Sequence, residues 1–135
     1  MSWTSSLYEF LSSTKKKPKF REIYELEKRK ELANRLTIHH PDKVPVIVDI
    51  SKSADSLVLM KCKFLAAREM TMGKFLHEIR QHIVDVDETQ AIYLFLDNNV
   101  LPPNSYTMDE IHNRFKDRKD NLLYFTLSLE NTFGT

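Results

Sequence analysis

Apolar residues in this chain follow two spacings, one near 3.6 and one near 2, and the points where the spacing changes mark out its elements. From Phe20 to His40 the spacing is helical within a heavily charged segment, so Ile23, Leu26, Ala33 and Leu36 are the expected inward residues. Glu25 with Arg29 and Glu31 with Arg35 lie four apart in the order that favours helix ion pairs, and Pro41 stops the helix. A break near its start is expected to divide this segment into two helices. The β-branched run Val44–Ile50 then predicts a strand, with Pro45 at its start or on a free side. After a polar turn over Ser51–Ser56, Leu57–Ala67 predicts one second strand centred on Lys61-Cys62-Lys63-Phe64-Leu65, whose alternating lysines suit an exposed sheet edge. Thr71 caps a helix with Met72, Phe75, Leu76, Ile79 and Ile83 inward. Ala91–Leu96 predicts a buried strand that ends in the turn residues Asp97, Asn98 and Asn99. Thr107-Met108-Asp109-Glu110 is a capping box for a short helix anchored by Ile111 and Phe115, and Leu122–Leu129 is a final strand.

The order is helix, strand, strand, helix, strand, short helix, strand. A hairpin crossed by a helix and completed by two further strands predicts an α+β domain: a ubiquitin-like β-grasp with a four-stranded mixed sheet and helices on one face. This domain is expected over residues 18–135, after an appendage of residues 1–17. In the appendage Trp3, Leu7, Phe10 and Leu11 form a helical apolar stripe, followed by Lys15, Lys16 and Lys17 and by Pro18. Such a stripe can lie at a membrane interface or pack on the domain, or the segment can be disordered. Tyr8-Glu9-Phe10-Leu11 also has an aromatic-x-x-aliphatic form.

Composition narrows the function classes. With 135 residues, 41% hydrophobic, 29% charged and net charge +1, the chain suits one soluble domain with a true core. Charge is uneven: residues 15 to 43 carry ten Lys or Arg against five Asp or Glu, whereas residues 44 to 135 carry ten against thirteen. The basic segment can face anionic lipid, acidic peptide or nucleic acid, or be a solvated helix face. No aromatic stacking platform accompanies it, so no nucleic-acid partner is expected. The single cysteine, Cys62, fits a reducing compartment, and there is neither a membrane-length apolar run nor a signal-peptide pattern, so a cytoplasmic address is expected. Cys62 with His39 or His40 lacks an orienting third group, and His77 and His82 are off the spacing that puts two zinc ligands on one helix face. No glycine-rich phosphate loop is present. The expectation is no catalytic residue, no metal and no cofactor. Only two glycines occur, and one, Gly134, is the penultimate residue, where its carbonyl is open to attack from either side.

Specific residues add a family resemblance. The run Pro41-Asp42-Lys43-Val44-Pro45-Val46-Ile47-Val48, the pair Phe64-Leu65, Arg80, the stretch Asn98-Asn99-Val100-Leu101-Pro102-Pro103 and the ending Glu130-Asn131-Thr132-Phe133-Gly134 strongly resemble the autophagy ubiquitin-like modifiers. This is the family of GABARAP and of microtubule-associated protein light chain 3. The resemblance covers about residues 17 to 135, with small insertions around the third strand. It implies a modifier rather than an enzyme. A cysteine protease grips Phe133 and removes Thr135, and activating and conjugating enzymes pass Gly134 as a thioester to the amine of phosphatidylethanolamine. The modifier then resides on autophagosomal membrane as well as in cytoplasm.

The resemblance also implies peptide recognition. A receptor segment with an aromatic-x-x-aliphatic motif adds as a strand to the free edge of the second strand, with main-chain bonds for affinity and two pockets for specificity. The matching aromatic pocket is Leu36, Pro45, Ile47, Lys63, Leu65 and Leu122; the aliphatic pocket is Phe64, Ala67, Met70, Phe75 and Glu78. Lys61 and Lys63, with Lys43 nearby, would meet acidic residues that flank the motif. Three positions depart from the family pattern: Leu122 where Phe is usual, Leu32 where an acidic or polar residue is common, and Glu78 where the second pocket is usually apolar. A buried unpaired carboxylate is costly, so Glu78 is expected at the rim or beside a basic group.

Overall fold

The computed structural model describes residues 17–131. The sheet forms because two runs have both faces to bury. Strand β1, Lys43–Ile50, is buried from Val44 through Asp49, and β6, Leu123–Ser128, is buried at every residue but Thr126. They pair in parallel at the centre, with Val46 beside Leu123 and Ile50 beside Leu127. Strand β3, Lys63–Ala67, flanks β1 antiparallel, and β5, Tyr93–Leu96, flanks β6 antiparallel, giving the order β3-β1-β6-β5. The four-stranded mixed sheet expected from the sequence is therefore present.

Helices cover both faces, not one. On one face, α3 (Met72–Gln81) and α4 (Met108–Phe115) close the main core around Val44, Val46, Val48, Phe75, Ile79, Ile111, Leu123 and Phe125. On the other, α1 (Phe20–Ile23) and α2 (Leu26–His39) cover a smaller cluster of Phe20, Ala33, Ile47, Leu122 and Tyr124. The continuous burial of β1 is the physical reason: alternate side chains on both its faces need cover. The expected break falls at Tyr24–Glu25. Of the four residues expected to point inward, only Ala33 is fully buried, whereas Ile23, Leu26 and Leu36 are half-buried.

Two further boundaries differ from expectation. Leu57–Ala67 is not one strand. Strand β2, Val58–Leu59, pairs instead with β4, Ile83–Val84, in a separate two-stranded sheet, and the Met60 amide donates to the His82 carbonyl before the chain turns into β3. Ile83 consequently belongs to β4, because α3 ends at Gln81 with His82 as its cap. The cap expectations hold: the Thr71 and Thr107 hydroxyls accept from the Lys74 and Glu110 amides, and Glu110 closes its box. Asn99 takes the turn with φ 63°.

Charge latches α1 and α2 to the sheet. Arg29 Nε lies 3.0 Å from Asp120 Oδ2, and Tyr124 donates to that same oxygen at 2.6 Å. Asp120 Oδ1 accepts from the Leu122 amide, so this buried carboxylate has partners on both oxygens. Arg29 thus turns to the core instead of Glu25. Arg21 lies 3.5 Å over the Tyr124 ring and bridges Asp97 at 2.7 Å and Asp117 at 2.8 Å. Burial opposes charge on Asp117, but the bonds from Arg21 and the Lys119 amide outweigh it and hold the carboxyl below its usual range. The Phe20 amide donates to Asp49, whose carboxyl is raised by burial despite that bond.

Candidate functional site

The β3 edge is the unfinished side of the sheet. Because the Val48 amide donates to the Cys62 carbonyl and pairing continues as Val46 with Phe64 and Val44 with Ala66, even-numbered residues carry the β1–β3 bonds. The main-chain groups of Lys63 and Leu65 therefore face away from β1, toward the open edge. Pro45 stands opposite Leu65, a position where no proline N–H is required by β3. The opposite edge is less available: β5 has four residues, and its Leu96 amide already donates to Val100.

Alternation along β3 sends its side chains to the two covered faces. Phe64 and Ala66 point into the main core, while Lys63, Leu65 and Ala67 lie on the side of α2. On the α2 side an open groove of about 250 Å³ runs between the helix and β3, lined by Phe20, Tyr24, Lys28, Arg29, Glu31, Leu32, Arg35 and Lys63. Its aromatic wall is Phe20 against Tyr24, with ring centroids 4.7 Å apart. Pro45 and Ile47 sit beneath this region, paired with Leu65 and Lys63, and Leu122 is buried in the same small cluster as Phe20 and Ile47. Leu36 is half-buried on α2. The sequence reading missed Phe20, Tyr24, Lys28 and Arg35 as groove walls. Their signal was the helical spacing of Tyr24, Lys28, Leu32 and Arg35, read there only as a solvated face.

The second group lies across the sheet. Phe64 is 8% exposed, edge-on to Phe75 at 6.0 Å and roofed by Lys61 at 4.9 Å from its ring. Met70 packs against this core from its rim, and Glu78 is half-exposed on α3, in the rim position that its charge demands. Ala67, expected with this group, stands on the α2 side of the strand, whereas Ala66 shares the Phe64 face. Lys61 precedes β3 instead of alternating within it; Lys63 is exposed on the strand and Lys43 is half-buried on β1. Lys28, Arg35, Lys61 and Lys63 leave this edge basic, against Glu31.

Nucleophilic chemistry has little support at this edge. Burial pushes the Cys62 thiol up, so it holds its proton, and adjacent Lys63 only partly opposes that. Among the described residues no group of three His, Cys, Asp or Glu side chains is placed to hold a metal, and no helix is long and apolar enough to cross a membrane. Phe133, Gly134 and Thr135 lie outside the described residues, as do Trp3, Leu7, Tyr8, Phe10 and Leu11.

Comparison with known proteins agrees with this architecture. A family model described as "Autophagy protein Atg8 ubiquitin like" matches residues 28–134. Autophagy-related protein 8 of Dictyostelium discoideum is 41% identical over 116 residues, covering 86% of this chain and 93% of the relative. Autophagy-related protein 8 of Emericella nidulans is 38% identical over 116 residues, covering 86% of this chain and 96% of the relative. The crystal structure of Trypanosoma brucei ATG8 superposes with a TM-score of 0.75 at 30% identity, covering 88% of this chain and all of that one. The chain belongs to the Atg8 family of autophagy ubiquitin-like proteins.

Proposed function

We propose that this protein is a non-catalytic modifier that is attached to membrane phosphatidylethanolamine through Gly134 and there recruits receptors carrying an acidic-flanked aromatic-x-x-aliphatic motif. The observation that carries the recruiting role is the open main chain of Lys63 and Leu65, with an aromatic-walled groove on one side and Phe64 on the other. An added strand would bond to that main chain and send alternate side chains to the two sides, as the three-residue step from aromatic to aliphatic requires with a twist of the peptide. Lys28, Arg35, Lys61 and Lys63 would steer acidic flanks. Leu32 and Leu122 make the α2 side more apolar than the family pattern, so aromatic contact outweighs polar contact there.

Attachment rests on family membership and on the family match, which extends through Gly134. A protease that grips Phe133 and removes Thr135 leaves a carboxylate that partner enzymes activate, and the chain itself supplies only an unhindered acyl group. The conjugated form then sits on autophagosomal membrane and the free form in cytoplasm. Reconstitution with the processing, activating and conjugating enzymes and phosphatidylethanolamine vesicles tests this. The wild type loses Thr135 by mass and gains the lipid, while Gly134→Ala does neither; lipid attachment to Gly134→Ala would refute it. A Gly134→Ala protein that still binds the peptide separates recruitment from attachment.

A further inference from the structure

The two-stranded sheet presents a small apolar face that no described element covers. Val58 and Val84 are direct cross-strand partners and stand 57% and 42% exposed, and Met60, two residues beyond Val58, is 67% exposed. Their neighbours Leu59 and Ile83 point the other way and pack against the main core, so alternation, not local unfolding, puts the three side chains outside. The chain enters the described domain beside this face: Lys17 Nζ donates to the Leu57 carbonyl, one residue before Val58. Immediately upstream lies the stripe of Trp3, Leu7, Phe10 and Leu11.

We propose that residues 3–11 pack their apolar stripe on the outer face of β2 and β4, against Val58, Met60 and Val84. Reach allows it, since the six residues from Lys17 back to Leu11 span at most about 20 Å. Size fits as well: as a helix, Trp3 to Leu11 extends about 12 Å, long enough to cross a face two strands wide at about 4.8 Å per strand spacing. Charge agrees in part, because Lys15 and Lys16 have exposed Asp55 and Asp85 at the ends of β2 and β4, although Lys61 carries the same sign as they do. Docking would cover the apolar face and the stripe together.

Trp3 is the only tryptophan, so its emission reports its own surroundings in the full-length protein. The wild type is expected to emit at shorter wavelength than Val58→Glu/Met60→Glu and to resist acrylamide quenching severalfold better, equally at all protein concentrations. Leu7→Asp should expose Trp3 to the same extent, and circular dichroism should show each variant folded. Four results would overturn the proposal: shielding that grows with protein concentration, which indicates a second copy; shielding only with phosphatidylethanolamine vesicles, which indicates a bilayer; shielding that survives Val58→Glu/Met60→Glu but is lost in Leu65→Glu, which indicates the β3 groove; and a Trp3 fully open to quencher in the wild type.

Discussion

The two faces of the sheet are closed by different physics. On the α3–α4 face, large side chains from β1, β3 and β6 meet Phe75, Ile79, Met108 and Ile111 in one continuous apolar core. On the α1–α2 face the buried cluster is five residues, and much of the docking is done by Arg21 and Arg29 on Asp97, Asp117 and Asp120. Hydrophobic burial is non-directional and fills space, whereas ion pairs fix positions and leave room between them. That difference explains why the groove beside β3 lies under α2. The latched face stays partly open where the packed face cannot.

The comparison breaks most visibly under truncation of the packed face. Phe125→Ala removes a ring that is 1% exposed and 5.8 Å from Phe75, and should lower unfolding free energy by about 3–5 kcal/mol in urea titration. Asp120→Ala strips the latch instead. With Arg29 left largely buried and Tyr124 without its acceptor, a loss of about 3 kcal/mol is expected. Hydrogen exchange distinguishes the two: Asp120→Ala should deprotect α2 amides before those of α3, while Phe125→Ala should deprotect both together. Equal loss in both helices of Asp120→Ala would show that charge does not latch one face separately.

Smaller effects sharpen the same contrast. Lys63→Glu should weaken an acidic-flanked Trp-x-x-Leu peptide about tenfold, roughly 1.4 kcal/mol, by fluorescence polarisation at low salt, with unchanged stability. The smallest expected effect is a pH slope on the packed side. His112 donates from Nε2 to the Asn121 carbonyl, and its buried Nδ1 has no partner. Burial lowers its pKa, with Lys116 and Arg68 adding to the shift and Asn121 and Asp109 opposing it. The folded form therefore binds its proton less readily than the unfolded form, whose imidazole titrates near 6.5. Its contribution is fully present above that value and is lost as pH falls toward the folded pKa. A thermal-melt series from neutral to mildly acidic pH should show a shallower decline in His112→Gln than in the wild type.

Much of the packed face was legible because its signals are local. The stripe Met72, Phe75, Ile79, the cap residues Thr71 and Thr107 and the β-branched Val44–Ile50 each declare an element without reference to the rest. The latched face was not legible, since nothing local tells Arg29 to choose Asp120, ninety-one residues away, over Glu25 four away. The same holds for Val58 and Val84, whose pairing splits what reads as one strand from Leu57 to Ala67. At the candidate site, the family resemblance supplied the edge strand and the two side-chain groups. The groove wall of Phe20, Tyr24, Lys28 and Arg35 emerged only when α1 and α2 were seen across the sheet from the core.

The central claim is that the open main chain of β3 is the docking edge. Amide hydrogen exchange by NMR, with and without an acidic-flanked Trp-x-x-Leu peptide, tests it residue by residue. The account predicts that Lys63 and Leu65 exchange readily in the free protein and become protected on binding, while Phe64, already bonded toward β1, is protected in both states. Unchanged exchange at Lys63 and Leu65 in the bound protein, with new protection at β5 or elsewhere, would contradict it.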